Sequence, residues 1–187
     1  MTSDWIDTIH CEDCRIGLDR IPDGSIDLVV MDPPYLLETR GGGTFGSANR
    51  TYHSELGPIS DGIDSSLLDK ISRKLSAINL YVWCNKRQLR QYIDYFEDRG
   101  CTTECLTWHK TNPIPTCNNK YLSDTEYLLF FREPGVHLYG TYETKRKWYV
   151  SANNKADKER FGHPTVKPLE IVRNIIGNSA PRGGGTQ

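Results

Sequence analysis

Two short stretches carry residues able to do chemistry: Asp32-Pro33-Pro34-Tyr35, directly after the apolar run Leu28-Val29-Val30-Met31, and His163-Pro164-Thr165-Val166-Lys167-Pro168 much later in the chain. An exocyclic amine on a nucleobase is a poor nucleophile because its lone pair is delocalised into the ring. A site that receives one needs acceptors for its hydrogens, and Asp32 and the Pro33 carbonyl are such acceptors. Proline has no N–H and a fixed φ, so the carbonyls between Asp32 and Tyr35 are free to point at a ligand instead of into a ladder. Tyr35 offers a face on which a planar base taken out of its duplex can stack. Read alone, the tetrapeptide fits equally an ordinary strand-ending turn, which Asp and Pro favour.

The elements around these stretches read as α/β. A turn at Pro22 to Ser25 delivers IDLVVM, a continuous apolar run rich in β-branched residues, as expected of a central strand buried on both faces of a parallel sheet. Ligands of such sheets bind at the carboxyl ends of strands, which is where Asp32 falls. A glycine-rich stretch without periodicity follows, from Glu38 to Gly62, and reads as a lid or a disordered loop. Ile63, Leu67, Leu68, Ile71 and Leu75 recur at helical spacing before the strand candidate INLYVWC. Asn85 with Gln88 resembles a capping box; Leu89, Tyr92, Ile93 and Phe96 form the apolar stripe of the next helix, and Gly100 suits its end. Strands are expected in TTECLTWH and EYLLFF, separated by a segment that Pro113 and Pro115 keep irregular. A last helix should begin near Lys167 with Pro168 in its first turn, turn Leu169, Val172, Ile175 and Ile176 inward and stop at Gly177.

Composition sets the bounds. The chain has 187 residues, 37% hydrophobic and 25% charged, which suits one globular domain with a core. Its net charge of -1 announces neither a membrane nor a nucleic-acid partner, so any basic surface must be local. No apolar run approaches a membrane span and the opening residues do not resemble a signal peptide, so the cytoplasm is the expected compartment and no membrane partner is expected. Cys11-x-x-Cys14 invites a zinc reading, but no second Cys or His pair closes a tetrahedral site. Reduced, partly buried thiols are the better reading, and no metal site is expected.

From Ile9 to Ser179 the sequence resembles the amino-group DNA methyltransferases that use S-adenosylmethionine. IHCEDCRIGLDRIPDGSIDLVVMDPPY is similar to that family's opening, and LTWHKTNPIPT, SDTEYLLFFR and HPTVKP are similar to later segments of its permuted arrangement, with DPPY first and the cofactor's glycine loop last. The resemblance implies a Rossmann-like sheet with helices on both faces, incomplete at the C-terminus. It implies one methyltransferase domain over 1–187, with a catalytic part at 8–135, a target-recognition insert at 136–162 and a cofactor-side helix at 163–178. Residue by residue, Asp32, Pro33, Pro34 and Tyr35 would hold the target base and its amine. Asp13 would lie near the adenosyl group, and Thr165 and Lys167 near the methionyl end, with Asp32 and His163 also counted on the cofactor side. The aspartate form of the tetrapeptide favours N6 of adenine over N4 of cytosine. Transfer would be a direct displacement, needing no covalent enzyme intermediate.

DNA is the implied partner. From Val136 to Gly162, Lys145, Arg146, Lys147, Lys155, Lys158 and Arg160 outnumber Glu143, Asp157 and Glu159, a local charge of +3. Tyr142, Trp148, Tyr149 and Phe161 interleave with them, which suits phosphate and base contacts, although a solvated hairpin would have the same composition. In the family the last helix leads into a strand and a glycine-rich turn. Here NSAPRGGGTQ, with Gly183 to Thr186, only echoes that turn, so the edge of IDLVVM is expected to lie unpaired unless a complementing C-terminal fragment or a second copy covers it. Alternatives from other classes are a catalytically silent remnant or half of a split enzyme that only binds DNA, and a methyltransferase acting on N4 of cytosine, on RNA or on a protein glutamine.

Overall fold

The computed structural model describes residues 6–36, 62–113, 115, 119, 121–153, 155–162 and 165–180. Five strands form one sheet in the order β1-β2-β4-β3-β5. These are β1 (Val29–Met31), β2 (Asn79–Cys84), β3 (Thr102–Lys110), β4 (Thr125–Arg132) and β5 (Trp148–Ser151). β2 is the fully covered strand, because NLYVWC offers apolar side chains to both faces and all six residues are buried. β1 pairs with it in parallel, Val29 opposite Leu80 and Met31 opposite Val82.

Two expectations are corrected. The sheet is mixed, not parallel: β4 runs antiparallel to both β2 and β3. The connection from β3 to β4 contains no helix among its described residues, so the chain turns straight back instead of crossing over. The run IDLVVM is not a central strand either. Only Val29–Met31 is strand, all three residues are half-buried, and among the described residues β1 pairs with β2 alone.

Helices cover both faces. α1 (Cys14–Arg20) is capped by Asp13, and α2 (Ser65–Lys74) by Asp64, whose side chain accepts from the Leu67 N–H at 2.9 Å. α2 and α3 (Leu89–Glu97) pack Leu67, Leu68, Ile71, Tyr92 and Phe96 against Leu80, Val82, Leu129 and Phe131, with Phe96 stacked on Phe131 at 4.3 Å. The alternate residues of the same strands, Tyr81, Trp83, Leu128 and Phe130, face the other way and meet Ile171 and Ile175 of α5 (Leu169–Ser179). Three ion pairs, Arg15–Asp64 at 3.3 Å, Lys70–Asp19 at 2.7 Å and Lys74–Asp23 at 2.5 Å, tie α1 and the turn after it to α2.

α5 begins after Pro168 and runs through Gly177 to Ser179, two residues past the expected stop. Its last turn is held by tertiary bonds that outweigh the glycine. Asn178 Nδ2 donates to the Thr144 carbonyl at 2.8 Å, and the Ser179 and Tyr81 hydroxyls meet at 2.8 Å. The approach is close enough that a Cβ at Gly140 would fall 1.9 Å from Asn178 Oδ1, so only glycine fits there. β5 and α4 (Lys155–Phe161) lie within the stretch expected to be the target-recognition insert. The expected lid at 38–62 lies outside the described residues apart from Gly62.

Candidate active site

At the carboxyl end of β1 the chain leaves the sheet as Asp32-Pro33-Pro34-Tyr35-Leu36, and two amides at the end of β2 fix its path. Gln88 Nε2 donates to the Pro34 carbonyl at 2.9 Å, and Asn85 Nδ2 donates to the Leu36 carbonyl at 2.7 Å. Gln88 is fully buried, and its Oε1 accepts from the Asn85 N–H at 3.2 Å, so the pair read as a helix cap is also a clamp on this loop. Clamping the Pro34 and Leu36 carbonyls leaves the Pro33 carbonyl without a donor among the described residues.

Four charged side chains converge beside that loop. Lys167 Nζ lies 3.0 Å from Asp32 Oδ2 and 3.2 Å from Glu126 Oε2. Lys110 Nζ lies 2.5 Å from Glu126 Oε1, and the Tyr35 hydroxyl donates to Glu126 Oε2 at 3.1 Å. Aromatic rings wall the group: Lys167 Nζ stands 4.9 Å from the Tyr35 ring centre and 5.3 Å from that of Trp83, and Lys110 Nζ stands 5.1 Å from that of Trp108. The side chains of Lys110, Glu126 and Lys167 are 16%, 17% and 11% exposed, whereas that of Asp32 is 35% exposed, so Asp32 is the member that solvent or a ligand reaches.

Two lysines face two carboxylates in the cluster, so their formal charges balance. Burial alone would push the Glu126 carboxyl up, but Lys167 and Lys110 outweigh it and hold Glu126 below the usual carboxylate range. Burial first, then the negative charges of Glu126 and Asp32, push the Tyr35 phenol far above its usual range, so it remains a neutral donor.

Of the sequence-predicted residues, Asp32, Tyr35 and Lys167 meet in this one cluster, with Pro33 and Pro34 in the loop that carries them. Sequence reasoning missed Glu126, Lys110, Gln88 and Trp83, although each stood inside a segment it had singled out. For Glu126 the signal was the strand pattern itself, a glutamate at the head of the apolar run EYLLFF, whereas β3, TTECLTWHK, is too polar for Lys110 to stand out. Asp13 is exposed and gives one carboxylate oxygen to the Arg15 N–H at 2.8 Å as the cap of α1. Thr165 is half-buried, while His163 and Gly183 to Thr186 lie outside the described residues. For a cofactor carrying an adenosyl and a methionyl end, Asp13 retains an exposed carboxylate oxygen. Lys167 has its ammonium on two carboxylates instead of open to a third.

The basic segment is partly self-neutralised. Arg146 pairs with Glu143 at 2.6 Å and Lys147 pairs with Glu104. Lys145, Arg146, Lys147 and Trp148 are exposed where β5 joins the sheet, and Arg160 is exposed on α4, which Lys155 opens and where Lys158 is half-buried. Cys84 is buried behind the loop, and burial raises its thiol to about 12, so it is neutral at physiological pH. Iodoacetamide at pH 8 should alkylate exposed Cys11 and Cys14 in the native protein and leave Cys84 unmodified until the chain is unfolded, as peptide mass mapping would read out.

A mixed sheet covered on both faces, with its polar cluster at the carboxyl end of β1, is a Rossmann-like α/β architecture. A solved structure, the M1.HpyAVI–SAM complex, shares it with a TM-score of 0.57 at 15% identity, over 90% of this chain and 72% of that one. The DNA methylase family of N6 and N4 enzymes matches residues 26–185, and the chain belongs to that family. Among its relatives are the type II methyltransferase M2.LlaDCHI of Lactococcus lactis subsp. cremoris, 26% identical over 90% of this chain and 70% of that protein, and M1.MboII of Moraxella bovis, 26% identical over 91% and 78%. Among the described residues no helix is long and apolar enough to cross a membrane.

Proposed function

We propose that this DNA methylase transfers a methyl group from S-adenosylmethionine to the exocyclic N6 amine of adenine in double-stranded DNA. The observation that carries the reading is the 35%-exposed Asp32 carboxylate next to the Pro33 carbonyl, which has no donor among the described residues, with Tyr35 and Trp83 around it. An amine carries two hydrogens, and two acceptors at one mouth can orient both so that the nitrogen lone pair faces the incoming methyl. S-adenosylmethionine, when bound, supplies that methyl as an electrophile. Asp13, with Thr165, would hold it, while Asp32 and Pro33 orient the nucleophile. The aspartate of the tetrapeptide supports adenine, and relatives named type II methyltransferases support duplex DNA as the substrate. Exposed Lys145, Arg146, Lys147, Trp148 and Arg160, with Lys155 and Lys158, would contact the duplex, mainly its phosphates.

The test is to incubate the purified protein with S-adenosylmethionine and unmethylated genomic DNA, digest to nucleosides and identify the methylated one by mass spectrometry. N6-methyladenine is the expected product. N4-methylcytosine would overturn the choice of base, and salt-sensitive DNA binding without any methylated nucleoside would overturn the activity.

A further inference from the structure

Gln88 is fully buried, an amide in a place where a methionine of similar size could be buried without any hydrogen-bond requirement. Its polar atoms are all engaged. Nε2 donates to the Pro34 carbonyl at 2.9 Å and to the Tyr92 hydroxyl at 3.3 Å, and Oε1 accepts from the Asn85 N–H at 3.2 Å. Tyr92 is itself fully buried on α3, so the Gln88 amide cannot swing away from Pro34 without leaving buried polar groups unpaired.

The loop that Gln88 holds has little freedom of its own. Peptide units are planar and proline locks φ at about −65°, so one soft torsion remains between the Pro33 and Pro34 carbonyls, the ψ of Pro34. On its other side Pro33 precedes a proline and is confined to extended backbone, which ties its carbonyl to the position of Asp32. A hydrogen bond that fixes the Pro34 carbonyl therefore also fixes the aim of the Pro33 carbonyl, one peptide away. Asn85 Nδ2 pins the Leu36 carbonyl separately at 2.7 Å, so the chain is held beyond Tyr35 as well.

Resting on the reading of the Pro33 carbonyl as an acceptor of the target amine, we propose that Gln88 is the positioning residue for that acceptor, acting through Pro34 and the locked torsions of the proline pair. Gln88 acts before the base arrives: the carbonyl already points where the amine hydrogen will be, so no reorganisation is needed when the base enters. The two prolines and the buried amide form one device. Without the proline lock the clamp would not reach Pro33, and without the clamp the lock would leave the ψ of Pro34 free.

The experiment is single-turnover transfer of labelled methyl to unmethylated genomic DNA by the full chain, well below the thermal midpoint of each variant. The rate at saturating DNA and the DNA concentration giving half that rate are read separately. Gln88→Met keeps the bulk and removes the donor, and its saturating rate should fall roughly 10- to 100-fold. Its half-saturating DNA concentration should stay within about twofold of wild type, because phosphate contacts elsewhere carry the affinity. Tyr92→Phe is the control: it removes the other acceptor of Nε2 at the same depth, should lower the thermal midpoint by a few degrees, and should keep the rate within about twofold. A merely structural Gln88 would leave the rate of the folded Gln88→Met protein unchanged, or would make Tyr92→Phe equally slow, and either result overturns the proposal. Pro34→Ala releases the φ lock and should be slowed by a factor comparable to Gln88→Met. The double variant should be little slower than the slower single variant, since both changes free the same carbonyl; losses that multiply would overturn the shared device. If Gln88→Met does not fold, a wild-type rate in Pro34→Ala overturns the proposal by itself. A wild type without methylation overturns the underlying reading of function, whereas an active wild type with an equally fast Gln88→Met overturns only the role of Gln88.

Discussion

Replacing Asp32 with asparagine should lower the turnover number for methyl transfer by about 10²- to 10³-fold while leaving the protein folded. The substitution preserves shape and one acceptor oxygen, so its effect isolates the second oxygen and the charge. A carboxylate can accept from Lys167 with Oδ2 and from an entering amine with Oδ1, whereas an asparagine has one acceptor and presents N–H groups at its other position. Two donors would then face each other, either at Lys167 or at the target amine, and a lone pair aimed by that contact loses its alignment. Asp32 is 35% exposed and Lys167 keeps its second partner in Glu126, so thermal unfolding should shift by no more than a few degrees. The decisive measurement is single-turnover transfer of labelled methyl to unmethylated DNA. A variant within threefold of wild type would remove Asp32 from the reacting centre.

The sequence made the helices and the inner strands legible because each is written in a strong period. α2, α3, β2, β3 and β4 fall within a few residues of their expected places, since apolar spacing and turn residues agree there. Strand direction was not legible. Nothing in EYLLFF says that the chain reverses after β3; that follows from a connection without a crossover helix, and a continuous apolar run looks the same in either direction. Nor was the place of β1. Val29–Met31 is as apolar as a central strand, so its place beside β2 alone among the described residues could not be read from its composition. The site divided in the same way. Asp32 to Tyr35 announce themselves as a contiguous motif, whereas Glu126, Lys110 and Gln88 become part of the site only through the register of β2, β4 and β3, which no local pattern encodes.

Trp83→Ala tests how far the core and the site are one object, and it should cost about 3–5 kcal/mol of stability. Trp83 is 2% exposed on the inner strand β2, edge-on to Trp108 with ring centres 6.3 Å apart, and grouped with Tyr81, Phe130, Ile171 and Ile175 on the face that α5 covers. The rest of that face is held by strand pairing and by the Asn178 and Ser179 bonds, so the hole left by the indole cannot close easily. Against a typical domain stability of about 5–15 kcal/mol this is a large fraction, and urea unfolding should show a lower midpoint at an unchanged slope. Trp83→Phe keeps a ring beneath Lys167 and should recover part of the loss, because the cavity is smaller and the cation retains an aromatic face. If Trp83→Ala unfolds at the wild-type midpoint, the indole is not a supporting wall. The cluster of Asp32, Lys167 and Glu126 must then be held by the loop clamp of Asn85 and Gln88 and by its own charges alone.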